Sequence, residues 1–90
     1  MEKKILNYRI IIEKEKNENG LPVYVAYCPT LGISDFGSTV ELAKENMEEA
    51  IDCHIQGIIK TGDKVPAPDI KDSYISLTEI MVPKNIKLAY

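Results

Sequence analysis

The chain has 90 residues, 44% hydrophobic and 28% charged, a balance that excludes a disordered or fibrous segment and leaves room for one small core. Its net charge of -3 argues against nucleic acid as the main ligand, which would require clustered Lys and Arg to displace counterions, and makes a basic partner the better match. A domain of this size buries only roughly 60–65% of its unfolded surface, so a second copy or another partner is expected to add buried area.

Residues 1–8 lack the apolar core of a signal peptide, and no apolar run approaches the ~20 residues of a bilayer span. A cytoplasmic location with no membrane association is therefore expected. In a reducing compartment Cys28 and Cys53 are expected to be free thiols. Two isolated cysteines and one histidine make a poor zinc site, so no metal and no cofactor are expected.

In chain order, residues 5–16 come first. Leu6, Tyr8, Ile10 and Ile12 alternate with Asn7, Arg9 and Glu13, with Ile11 as the exception, which predicts a strand with one apolar face. Asn17-Glu18-Asn19-Gly20 is a turn signal, and residues 23–27, rich in β-branched and aromatic side chains, predict the return strand of a hairpin. Pro22 stands at the entry of that strand, where a missing donor does least harm. From Cys28 to Thr39 the strand ends, a short extended piece over residues 33–36 follows and a capped helix opens. Pro29 bars ladder pairing, Gly32 and Gly37 permit positive φ, and Ser38 or Thr39 offers a cap oxygen.

The helix is predicted over residues 40–60, its stripe of Val40, Ala43, Met47, Ala50, Ile51, Ile55 and Ile58 facing the sheet. Glu45, Glu49, Asp52 and Gln56 fall opposite that stripe, with Glu41 and Glu48 on the flank, and acidic residues in the first turns suit the positive end of the helix dipole. Gly62 is expected just past the helix end, and Pro66-Ala67-Pro68 forces an extended exit. Residues 73–82 predict a fourth strand with apolar groups on both sides, Tyr74, Ile80 and Val82 on one and Ile75, Leu77 and Met81 on the other. Such a strand is expected to be buried by more than one neighbour, at a homodimer interface or in a higher oligomer. The expected architecture is α+β: an antiparallel sheet of three to four strands with one long helix on one face, in the order β-β-β-α-β, forming a single domain over residues 1–90.

A tyrosine-containing first strand, a return strand ending near Pro29, Leu31-Gly32, Gly37-x-Thr39, then Ala43, Asn46 and Glu49-Ala50-Ile51 on a helix, closing with Gly62 and Pro66-x-Pro68, resembles the HicB-like antitoxin family over residues 8–69. The resemblance implies a partial ribonuclease H-like fold and an antitoxin of a type II toxin-antitoxin pair. Its implied partner is a HicA-type toxin, a small basic mRNA-cleaving protein with a double-stranded-RNA-binding-like fold and a catalytic histidine. Two departures stand out. Leu42 occupies the position where the family usually has a Glu three residues after the capping Thr; Glu41 completes a capping box only if Ser38 is the cap. Only eight residues follow Val82, too few for the helix-turn-helix that many relatives carry, so no specific DNA binding by this chain alone is expected.

An enzymatic reading would need carboxylates converging on Mg²⁺. Glu13, Glu15, Asp35 and Glu79 lie near strand ends or turns without evident convergence, which favours solvated charges. His54, at the edge of the apolar stripe, has no partner placed beside it, and Cys53 lies in acidic surroundings that suit a nucleophilic thiol poorly. No catalytic residue is assigned. For contact with the toxin the candidates are Tyr24, Tyr27, Asp35 and Phe36 as anchors and Glu45, Glu48, Glu49 and Asp52 as steering charges. The competing readings are core packing for the first group and a solvated helix face for the second. The alternative function is a solo regulatory or small-ligand-binding module without a toxin, and a metal-dependent nuclease ranks behind it.

Overall fold

The computed structural model describes residues 3–90; Met1 and Glu2, part of the N-terminal stretch read for a signal peptide, lie outside it. Strand β1 (Ile11–Lys16) and strand β2 (Pro22–Cys28) form the expected hairpin, and β3 (Ile33–Gly37) adds to β2, giving an antiparallel sheet of order β1-β2-β3. Helix α1 (Val40–Thr61) follows and packs on one face. The α+β architecture with three strands and one long helix therefore holds.

The hairpin turn is built by Asn17, whose Oδ1 accepts from the backbone N–H groups of Asn19 and Leu21 at 2.9 Å each. Such a side-chain bond to the backbone competes with continued strand pairing and closes the loop. Register then sorts the side chains by face. Ala26 is paired with Ile12 on β1 and with Asp35 on β3, so these residues share the face toward the helix, while Val25 is paired with Glu13 and Phe36 on the outer face.

The core sits between the inner sheet face and the helix. Ala26, Cys28, Ala43 and Met47 are fully buried, and Tyr8, Ile10, Ile12, Tyr24, Leu31, Ile33, Ala50 and Ile51 pack around them. The apolar stripe beyond Ile51 is less covered. A 22-residue helix is about 33 Å long whereas a five-residue strand spans about 17 Å, so the second half of α1 outruns the sheet. Ile55 and Ile58 are half-buried, and His54 is exposed.

Two expected elements differ. The first strand begins at Ile11 rather than residue 5, because Ile11 is already paired with Tyr27 at the end of β2 and the segment before it has no strand to pair with. The fourth strand over residues 73–82 does not form: these residues are exposed and take part in no ladder among the described residues. A strand requires a partner for its N–H and C=O groups, and the chain leaves the body past residues 7–9 without running along either free edge of the sheet.

Candidate functional site

The corner between β3 and α1 is set by three contacts. Thr39, in extended conformation, accepts from the Leu42 N–H with its hydroxyl at 3.0 Å and is the helix cap. Ser38 is not the cap, so Glu41 completes no capping box. Gly37 is buried without positive φ, correcting the expectation of a left-handed turn there. Its role is close approach: a Cβ on Gly37 would stand 2.5 Å from the Ala43 nitrogen and 2.8 Å from the Leu42 carbonyl carbon. Gly32 does adopt φ 67° in the turn after Pro29. Asn46 Nδ2 then donates to the Phe36 carbonyl at 2.8 Å, tying the second turn of the helix to β3. The far end of α1 is closed as expected by Gly62 at φ 75°, with its N–H on the Ile59 carbonyl and the Asp63 N–H on that of Ile58, which satisfies two orphan carbonyls.

This corner separates the candidate contact residues. Tyr24 packs against the core on the inner face. Asp35 is also on the inner face, half-buried, with Oδ1 accepting from the Phe36 N–H at 2.8 Å. Phe36 and Tyr27 occupy the outer face, 64% and 45% exposed, together with Ile11 and Val25. Glu45 and Glu49 fall on the side of α1 that carries Leu42 and Asn46, at spacings of three and four residues, so they lie toward the β3 edge. Glu48 and Asp52 are on the other side, bordering a groove of 1140 Å³ between α1 and residues 4–10. The structure thus puts Tyr27 and Phe36 on the open sheet face and Glu45 and Glu49 on the flank of the helix that covers the other face, while Tyr24 and Asp35 face the helix and Glu48 and Asp52 border the groove.

A second cluster was not legible in the sequence. Asp69, just past Pro68, accepts from the Arg9 backbone N–H with Oδ2 and from the Thr30 hydroxyl with Oδ1, both at 2.7 Å, and donates its own N–H to the Asn7 carbonyl at 2.8 Å. Alongside, the Tyr8 hydroxyl donates to the Pro66 carbonyl at 2.6 Å and Arg9 Nη2 donates to Ser73 Oγ at 2.7 Å. The bonds to the Arg9 N–H and to Thr30 hold the Asp69 carboxyl below its ordinary value, against a smaller opposing effect of burial. Burial pushes the Tyr8 phenol up, and the nearby Cys28 and Asp69 add to this. Pro66 and Pro68 give the helix exit its extended course, and Asp69 knots that exit to the N-terminal segment and the β2–β3 turn. Only the two prolines signalled this. The partners lie 39 and 60 residues away in sequence, beyond any local pattern.

The carboxylates considered for metal chemistry are dispersed. Glu13 and Asp35 occupy opposite faces of the sheet, and among the described residues no group of three or more His, Cys, Asp or Glu is placed to hold an ion. Cys28 is buried in the core, and Cys53 is exposed on α1; both are free. No described helix is long and apolar enough to cross a membrane.

These features define a small α+β domain with a helix on one face of its sheet and exposed apolar side chains, Tyr27 and Phe36 among them, on the other. No family model matches the sequence, and no solved structure matches it. A relative in Synechocystis sp., the UPF0150 protein ssr1765, is 38% identical over 69 residues, covering 76% of this chain and 82% of the relative. The chain belongs to the UPF0150 family.

Proposed function

We propose that this protein is a HicB-type antitoxin, a cytoplasmic, non-enzymatic chain that binds and neutralises a small basic HicA-type toxin. The observation that carries the reading is the open sheet face, where Phe36 and Tyr27 are 64% and 45% exposed beside Ile11 and Val25. A contiguous group of apolar side chains left exposed marks an interaction surface, and aromatic anchors are enriched at interfaces. Glu45 and Glu49, exposed on the helix, add negative potential that speeds encounter with a cationic protein. The HicB-like residue pattern over residues 8–69 supports the same reading independently.

The test is co-expression with the product of a neighbouring reading frame that encodes a small basic protein, scored by pull-down and by rescue of growth. Wild-type chain is expected to capture the toxin and restore growth. Phe36→Asp is expected to abolish both while leaving the circular dichroism spectrum unchanged. Wild-type chain that neither captures the product nor rescues growth would refute the proposal.

A further inference from the structure

Past the Asp69 knot the chain is held to its own body by the Arg9–Ser73 bond and then runs on exposed. The Cα radius of gyration is 17.4 Å and the longest dimension 62 Å, whereas a compact chain of this length has a radius of about 12 Å. The excess is the C-terminal arm, in which every residue from Ile70 to Tyr90 is exposed. Its last stretch, residues 80–90, is both apolar and basic. It carries Ile80, Met81, Val82, Ile86, Leu88 and Tyr90, and its charged side chains are Lys84 and Lys87.

The groove beside α1 is likewise largely apolar. Leu6, Ile10, Ile51, Ile55, Ile59 and Val65 make its apolar walls, and its volume is 1140 Å³. Four charged residues line it: Lys4, Lys44, Glu48 and Asp52. Lys44 pairs with Glu48 at 3.7 Å, and among the described residues neither Asp52 nor Lys4 makes an ion pair. The groove exists because α1 outruns the sheet: the half of the helix that lacks strands beneath it keeps an apolar side, and residues 4–10 form only the opposite wall.

We infer that the groove is the receptor for the C-terminal arm of a second copy of this chain, the two copies exchanging arms. The argument has three parts. The arm is the basic, apolar end of an acidic chain, and the groove offers it mainly apolar side chains, with the Asp52 carboxylate on the helix wall across from Lys4 on the other. Covering the arm's large apolar side chains would remove roughly 1000 Å² from water, enough per partner for a standard interface. Each copy carries both arm and groove, so a two-fold exchange satisfies both at once and closes without leaving a free site. The Asp69 knot and the Arg9–Ser73 bond fix where the arm departs, which directs it outward. This inference does not depend on the toxin, and its test uses the chain alone.

The chain contains no tryptophan, so Leu88→Trp is a clean reporter on the arm. The expected result is a dimer by sedimentation at micromolar concentration and a Trp emission maximum that moves to the blue as concentration rises. Ile59→Asp, at a groove position 55% exposed and so dispensable for the core, is expected to weaken the dimer by about tenfold or more. Asp52→Lys is expected to weaken it as well, and combination with Lys84→Glu and Lys87→Glu is expected to restore it. A wild-type chain that stays monomeric at these concentrations would overturn the inference. So would blue-shifted emission at every concentration, which would mean that the arm fills its own groove, or a dimer that survives Ile59→Asp with its fold intact.

Discussion

The Asp69 carboxylate accepts the backbone N–H of Arg9 at 2.7 Å, joining the exit of α1 to a segment that precedes β1. That bond, with the Thr30 hydroxyl on the other oxygen, favours the ionised carboxylate. The folded pKa lies below the unfolded value, so the contribution to stability is complete above the ordinary carboxylate range, near pH 4, and is lost as pH falls through the folded value. Asp69→Asn is therefore expected to lower stability at neutral pH and to flatten the acid limb of the stability profile. Urea denaturation across the range from neutral to strongly acidic pH measures both, and an acid limb as steep in the variant as in the wild type would contradict the assignment.

Thr39 and Ser38 are adjacent hydroxyl residues, and only Thr39 caps α1. Thr39→Ala is expected to cost about 1 kcal/mol, whereas Ser38→Ala, removing an exposed side chain, is expected to stay within about 0.5 kcal/mol of wild type. Thermal melts of the two variants side by side decide it; equal losses would mean that the cap is shared.

Gly37→Ala tests the close approach of β3 to the helix start. The added methyl would overlap backbone atoms of Leu42 and Ala43, which cannot swing aside as a side chain end could. Destabilisation of about 1–3 kcal/mol is expected, the usual cost of overpacking, with the helix start displaced from the sheet. Loss of the Asn46–Phe36 bond would follow, visible as faster hydrogen exchange in the first turns of α1. Unchanged stability would refute the close approach.

Glu13 and Asp35 stand on opposite faces of the sheet and cannot jointly hold one Mg²⁺ ion, which needs oxygen ligands converging at about 2.1 Å. Rigorously purified chain is expected to leave RNA intact with Mg²⁺ or Mn²⁺ present. Cleavage that disappears in Asp35→Asn or Glu13→Gln would show a metal site assembled in some other way.

Much of the fold was determined by the sequence itself, because its signals are local. Period-two alternation at Tyr8, Ile10 and Ile12 placed three side chains on the core face, the helical stripe picked out the buried Ala43 and Met47, and Gly62 ended the helix where a left-handed residue was required. Each of these depends on neighbours within a few residues, which a linear pattern records. Tertiary structure alone decided the rest. Whether residues 5–10 and 73–82 become strands depends on a partner for their backbone groups, and among the described residues neither segment is paired with a strand. Phe36 and Asp35 are neighbours in sequence, yet pleating turned one to the open face and the other toward the helix. Asp69, unremarkable as a letter in the chain, became a junction only because folding brought Arg9 and Thr30 to its two oxygens.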